Sequence, residues 1–192
     1  MRPMQGLESL KRSLEKARVI KVGGYDYFVH PISDGIPELE PSLLDEVAEA
    51  IVRVVDRSCD RILTVEAMGI PVGTAVALKL GKPLTIVRKK RYGLEGEIAI
   101  PSRTGYSSNV LHVNGIRRGD RVAFVDDVLS TGGTIVSVVN AVRLAGGTVC
   151  DAIVIIEKGH NRENIEEQLG LQIKSLVRVE IRDGKVVVDP GA

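Results

Sequence analysis

Apolar residues recur at Leu7, Leu10 and Leu14 among charges, which predicts an amphipathic helix over residues 4–17. Val19 with Ile20, and then residues 25–29, read as two short strands around Gly23-Gly24, a hairpin. Residues 30–37 (His-Pro-Ile-Ser-Asp-Gly-Ile-Pro) are a turn-rich loop. Pro41 and Ser42 open a long helix whose stripe is Leu43, Leu44, Val47, Ala48, Ile51 and Val55. Strands and helices alternate from there. A strand at 61–65 leads through a turn at 66–73 to a helix at 74–80, which Gly81 stops with Pro83 just beyond. A strand at 84–88 precedes a long polar stretch, 89–112, punctuated by Gly93, Gly96, Pro101 and Gly105. A strand at 121–125, a helix from about 133 to 145 and a strand at 152–156 follow. Residues 175–188 read as a hairpin across Asp183-Gly184.

This alternation predicts an α/β fold, a mostly parallel, doubly wound sheet with helices on both faces. The nearly continuous apolar strands agree, because such strands are buried on both sides. Ligands of such sheets sit at the carboxyl ends of the strands, where Glu66, Arg88, Asp126 and Glu157 fall. The stretch 89–112 is too long for an ordinary connection and is expected to be a mobile lid over a site.

Composition narrows the field. A chain of 192 residues suggests one domain with room for a sizeable core. Aromatic residues are 3% and Trp is absent, so Val, Ile, Leu and Ala must build that core. A net charge of +1 provides no global basic field for nucleic acid. Cys59 and Cys150 are the only cysteines, with no Cys-x-x-Cys and no His cluster. That argues against a zinc site or a disulfide framework and fits a reducing cytosol. No apolar run approaches membrane-spanning length and no signal-peptide core is evident, so a cytoplasmic protein without membrane contact is expected.

The chemistry gathers in residues 122–134, Val-Ala-Phe-Val-Asp-Asp-Val-Leu-Ser-Thr-Gly-Gly-Thr. A strand that feeds a helix through a tight Gly turn leaves backbone N–H groups unpaired at the helix start, and these with the helix dipole favour an anion. Gly132 and Gly133 let the backbone come close. Ser130, Thr131 and Thr134 add hydroxyl donors. Asp126 and Asp127 are poor phosphate ligands but good acceptors for sugar hydroxyls. Phosphate plus diol means a ribose 5-phosphate. A plain strand–turn–helix is the bland alternative, and neither a Walker loop nor Gly-x-Gly-x-x-Gly occurs in this stretch.

The string Asp126-Asp127-x-x-Ser130-Thr131-Gly132-Gly133-Thr134 resembles the ribose-phosphate signature of type I phosphoribosyltransferases. The resemblance spans nearly the whole chain and is nearest to the archaeal hypoxanthine phosphoribosyltransferase group, through Tyr25-Asp26-Tyr27-Phe28-Val29-His30-Pro31 and residues 32–37. There is kinship with bacterial xanthine and with adenine phosphoribosyltransferases. It implies a single domain over 1–192, with a small hood subdomain from roughly 18–40 and 157–192 and a lid at roughly 89–112. It implies Mg²⁺-dependent transfer of phosphoribosyl from phosphoribosyl pyrophosphate to a purine, with Mg²⁺ held mainly by substrate oxygens rather than protein ligands. Asp126 and Asp127 are the implied catalytic pair. The turn Ala67, Met68, Gly69 matches the family's pyrophosphate loop, with a non-proline cis peptide expected at Ala67–Met68. Arg88 and Lys89 would reach pyrophosphate, often across a dimer interface. A homodimer is implied, and the helix stripe at the N-terminus is expected to be exposed and available for it.

For the base, the resemblance implies Lys158, Phe28 and His30. The Lys matching Lys158 in the xanthine enzymes contacts the purine 6-oxo group. An ammonium carries three donors and no acceptor, so it suits a 6-oxo purine and meets adenine's 6-amino group badly. A buried mismatch of that kind discriminates by roughly 10⁴. Hypoxanthine, with guanine, is therefore the expected substrate, giving IMP or GMP. His30 stands where the xanthine enzymes carry Asn, which disfavours xanthine. Ser130 stands where other hypoxanthine-guanine enzymes carry Asp, and Glu95 and Glu97 are out of register with the adenine enzymes' lid Glu near Thr104, so no general acid or base is assigned. The alternatives are an adenine enzyme giving AMP, or a non-catalytic ligand-sensing regulator; the segment before the sheet is too short for a helix-turn-helix.

Overall fold

A computed structural model describes residues 6–103 and 108–189. Its centre is a six-stranded sheet in the order β10-β9-β8-β7-β3-β4. Strands β3 (Arg61–Val65), β4 (Leu84–Val87), β7 (Arg121–Leu129), β8 (Thr148–Lys158) and β9 (Lys174–Arg182) are parallel. β10 (Lys185–Val188) turns back antiparallel on β9. The alternating pleat explains why the strands read as apolar throughout. In β7, Ala123 and Val125 join one buried cluster, with α1 (Glu8–Glu15), α3 (Pro41–Val54) and α4 (Gly69–Leu80). Val122 and Phe124 join the other, with α5 (Gly133–Leu144) and α6 (Arg162–Leu169). Helices thus cover both faces, the doubly wound arrangement that the alternation predicts.

Four sequence expectations change. Within the described part of the N-terminal helix, Leu7, Leu10 and Leu14 are fully buried, packed with α3 and the β9–β10 edge. Each contributes about 1.5–3 kcal/mol of burial to this fold, so the stripe is not free for a partner. The helix expected at 74–80 begins at Gly69, five residues earlier. Pro71 is tolerated there because the first turn of a helix needs no N–H from it. The loop at 30–37 contains one helical turn, α2 (Pro31–Asp34), capped by the His30 ring and ended by Gly35 at φ 69°. The stretch 89–112, expected as a mobile lid, carries regular structure. It forms an antiparallel hairpin of β5 (Ile98–Arg103) and β6 (Ser108–Val113). The hairpin is tied to the end of β4 by paired Arg88–His112 backbone bonds of 3.0 and 2.6 Å, and to α5 by Ser137 Oγ donating to the Pro101 carbonyl at 2.8 Å. Sequence periodicity missed α6, whose apolar positions are only Ile165 and Leu169.

The expected strand at 121–125 runs on to Leu129, because β8 continues beside it to Lys158 and keeps its ladder paired through Leu129↔Glu157. On the other side the pairing with β3 stops at Leu63↔Phe124. Beyond Phe124 one edge of β7 is therefore unpaired by β3, just where the connections leave in opposite directions, β3 to β4 and β7 to β8. That divergence opens a crevice at the carboxyl end of the sheet, the place where open α/β sheets take ligands. The hairpin of β1 (Arg18–Val22) and β2 (Tyr25–Val29) forms a separate two-stranded sheet beside it.

Candidate functional site

A cavity of about 710 Å³ occupies that crevice. Ala67, Met68, Lys89, Asp126, Asp127 and all five residues from Ser130 to Thr134 line it. Two helices begin at its wall. α4 starts at Gly69 and α5 at Gly133, and no side chain caps either. Uncapped first-turn N–H groups at two convergent helix starts give the cavity two sets of anion donors. Gly132 makes the second turn possible. It sits at φ 80°, and a Cβ on it would lie 2.3 Å from Ile165 Cδ1, so α6 backs the Ser130–Thr134 loop from behind. Asn161 Nδ2 supports the same loop by donating to the Ser130 carbonyl at 3.3 Å.

The paired aspartates lie inside the strand, not past its end. Asp126 is 6% exposed. Burial pushes its carboxyl well up, and the neighbouring Asp127 charge adds to that. Burial likewise raises Asp127 to about 6, although the Asp126 carboxyl and the Asp127 and Val128 N–H groups hydrogen-bond to it. Two carboxyls in one desolvated spot hold a proton between them, the behaviour of a coupled pair. Lys89 is the cation that offsets Asp126.

The non-proline cis peptide lies at Glu66–Ala67, one bond earlier than expected at Ala67–Met68. The Glu66 N–H still bonds back to Val87 at 3.1 Å, so the chain leaves the ladder, and turns, at the bond that follows. Glu66 itself clamps the basic run. Its carboxylate accepts Arg88 Nε at 2.5 Å and the Lys89 N–H. Those bonds outweigh burial and hold the Glu66 carboxyl below its ordinary value. Arg88 therefore points to Glu66 and does not line the cavity, whereas Lys89 does.

Gly69 and Gly73 let α4 settle onto Thr64. A Cβ at residue 69 would fall 2.3 Å from Thr64 Oγ1 and 2.6 Å from Asp126 Oδ1, and one at residue 73 would fall 3.0 Å from Thr64 Cβ. Gly69→Ala must push short, buried side chains aside. It is expected to cost about 1–3 kcal/mol of stability, read by urea denaturation, and to disturb the Asp126 carboxyl. Unchanged stability would show that this contact is not tight.

The base residues separate. Lys158 ends β8 in an adjoining pocket, with Tyr25, Asp26, Ser130 and Thr131. Its ammonium donates to the Asp26 carbonyl at 2.9 Å and lies 5.8 Å from the Phe28 ring centroid. Burial lowers its pKa, against the Asp26 charge. Phe28 and His30 are buried and line neither pocket. Burial lowers His30 to about 4, so the ring is neutral. Nδ1 accepts from the Ile32 N–H at 3.2 Å, which leaves Nε2–H to donate to Ser13 Oγ at 2.9 Å. On the β1–β2 side the main cavity is instead walled by Ile20, Val22, Tyr27 and Val29, with Asp34 of α2. Asp34 accepts Tyr27 Oη and Ser33 Oγ, each at 2.6 Å. Sequence reading missed this carboxylate, because a turn-rich loop does not say which way its Asp points.

Two further carboxylates at the strand ends are occupied. Glu157, 1% exposed, accepts Ser175 Oγ at 2.7 Å and Arg178 Nη2 at 2.8 Å. Glu97 accepts the Tyr92 and Gly93 N–H groups and Asn114 Nδ2 at 3.0–3.1 Å, bonds that hold it down to about 2. The position near Thr104 lies outside the described residues.

The family model described as phosphoribosyl transferase domain matches residues 38–176. The hypoxanthine/guanine phosphoribosyltransferase of Methanosalsum zhilinae is 52% identical over 95% of this chain and 96% of its own length. That of Methanocaldococcus infernus is 52% identical over 93% and 98%. Among solved structures, the adenine phosphoribosyltransferase of Leishmania tarentolae superposes with a TM-score of 0.74 at 23% identity, covering 93% of this chain and 89% of that one. At that identity the likeness concerns the fold.

Proposed function

Because this chain belongs to the phosphoribosyl transferase family, we propose that it is a purine-salvage enzyme that transfers 5-phosphoribosyl from phosphoribosyl pyrophosphate to hypoxanthine or guanine, releasing pyrophosphate. The observation that carries this reading is the convergence, in one cavity, of two uncapped helix starts on the buried Asp126 carboxyl and the half-buried Asp127 carboxyl beside it. A 5-phosphate fits the Ser130–Thr134 turn, pyrophosphate fits the Ala67–Gly69 turn beside Lys89, and the ribose diol between them meets Asp126 and Asp127. Arg88 acts through Glu66 by fixing the turn that presents Lys89. The names carried by relatives 52% identical over almost their whole length favour the 6-oxo purines.

Bond breaking at C1 of the ribose builds positive charge on the sugar and negative charge on the leaving pyrophosphate. Preorganised N–H groups and Lys89 stabilise the second. Ionised Asp126 and Asp127, accepting from the diol, stabilise the first. Among the described residues no group of three or more His, Cys, Asp or Glu could hold a metal. On the family reading Mg²⁺, held mainly by substrate oxygens, would neutralise the departing pyrophosphate.

Lys158 serves the 6-oxo group with the donors that Asp26 leaves free, and Phe28 supports it from behind. His30 enters only as the cap that shapes α2. Lys158→Met is expected to raise KM for hypoxanthine about tenfold or more while KM for phosphoribosyl pyrophosphate stays put, a split that steady-state kinetics resolves. A fall in which both constants suffer equally would remove Lys158 from base recognition. Among the described residues no helix is long and apolar enough to cross a membrane; a cytoplasmic location is proposed on family grounds alone. A homodimer is proposed on family grounds alone, for sedimentation to measure. The deciding experiment incubates the protein with Mg²⁺, phosphoribosyl pyrophosphate and each base in turn. IMP and GMP are expected. AMP alone would overturn the base assignment, and a thermal shift without pyrophosphate release would overturn catalysis.

A further inference from the structure

Thr64 lies in β3, fully buried, and its hydroxyl has no hydrogen-bond partner. Among the described residues the other buried side-chain polar atoms without a partner are Arg61 Nε, His112 Nδ1 and Arg162 Nε. None of those three residues lines the cavity or touches a residue of the aspartate pair in the contacts above. A buried hydroxyl left unpaired costs stability, and valine has the same shape, so a purely packing role does not call for threonine here.

The Thr64 hydroxyl faces one particular neighbour. Thr64 Oγ1 and Asp126 Oδ1 both lie within 2.6 Å of the single point where a Cβ on residue 69 would sit. Gly69 vacates that point, so no side chain at residue 69 stands between the two oxygens. The two oxygens are therefore no more than about 5 Å apart, near enough for side-chain rotation to bring them together. The protonation balance decides when that bond matters. A carboxyl that holds a proton is satisfied by its Asp127 partner, whereas an ionised one in a dry site needs donors. The groups that bear on this balance are Asp127 on β7, Lys89 after β4, and Asp34 on α2, which faces Asp127.

We propose that Thr64 is a positioning residue for Asp126, its orphan hydroxyl donating to the Asp126 carboxylate when that carboxylate ionises to receive the ribose diol. Loss of the proton from the pair is then matched by a donor already nearby. The inference rests on the reading of Asp126 and Asp127 as the diol-binding pair.

Thr64→Val and Thr64→Ser test it. In Thr64→Val the ligand-free protein is expected to keep or gain thermal stability, since an unpaired buried hydroxyl is gone. Its acidic limb of kcat/KM against pH is expected to move up by about one pH unit, with an approximately tenfold loss near pH 6 that recovers in alkali. KM for the base stays unchanged, and Thr64→Ser returns the profile to that of the parent. Carbon-13 titration of labelled aspartates in the ligand-free protein gives a readout independent of turnover, where Thr64→Val should raise the Asp126 midpoint. A variant whose pH profile and Asp126 titration superimpose on the parent overturns the proposal, as does a uniform loss at every pH. Failure of the parent protein to make any nucleotide would instead overturn the functional reading, while the titration still decides whether Thr64 serves Asp126.

Discussion

Asp127→Asn is expected to cut kcat/KM for phosphoribosyl pyrophosphate by roughly 10²–10³-fold, the loss typical of one preorganised electrostatic partner, and yet to stabilise the ligand-free protein at neutral pH. The kinetic half follows from chemistry. Asparagine keeps one acceptor, replaces the other with an N–H₂ donor, and carries no charge to set against a positive sugar. The stability half follows from proton linkage. Burial holds the Asp127 carboxyl at about 6, above its ordinary 3.8. The folded protein therefore binds a proton more tightly than the unfolded chain does, and stability falls as pH rises from about 4 through about 6. Asparagine has no proton to lose, so the variant should outlast the parent at pH 7–8 and the gap should close toward pH 4. Urea unfolding across that range, beside steady-state kinetics, measures both halves. Unchanged kinetics would take Asp127 out of the site. A stability gap equal at pH 4 and pH 8 would mean that packing, not titration, made the difference.

Gly132→Ala should be nearly as damaging, through the backbone alone. At φ 80° an alanine costs about 1–2 kcal/mol. Its Cβ would also lie 2.3 Å from Ile165 Cδ1 and 2.7 Å from Cγ1. Ile165 is buried in the second core cluster, so relief of the clash adds about 1–3 kcal/mol. The cheaper response is for the 130–134 turn to lift away, which misdirects the N–H groups at the start of α5. A misplacement near 1 Å is worth about 10²-fold, and it should appear as a raised KM for phosphoribosyl pyrophosphate with KM for the base little changed. Adding Ile165→Ala removes the clash but not the strained φ. That double variant should regain part of the stability and little of the affinity. Wild-type KM in Gly132→Ala would show that these amides do not bind the phosphate.

The parts of the fold that were legible in the chain are those whose physics is local or periodic. The nearly continuous apolar runs at 61–65 and 122–125 read as two-sided strands, and the stripe from Leu43 to Val55 as one helix face. The string from Asp126 to Thr134 carries its own chemistry, and the cavity gathers all of its ligand-type residues. Glu157, Arg88 and His30 illustrate the limit. Each looked like a ligand by its position at a strand end or by a family match. Yet Glu157 is taken by Arg178 and Ser175, Arg88 by Glu66, and His30 by Ser13 and the start of α2. Partners 18 and 21 residues away for Glu157, or 22 for Arg88, leave no mark in a short sequence window.

The amino-acid order alone determined the α/β class, the Ser130–Thr134 turn that opens α5 and the carboxylate pair, since each depends on residues adjacent in the chain: backbone donors freed at a glycine turn, and acidic residues fixed to one strand. Tertiary structure decided which charged groups remain free for a ligand. It made a hairpin of the expected lid, buried the first helix's leucines, turned Asp34 into the cavity and left the Thr64 hydroxyl unpaired beside Asp126. The reason is that burial and hydrogen-bond satisfaction are properties of neighbours in space, and those neighbours come from distant segments.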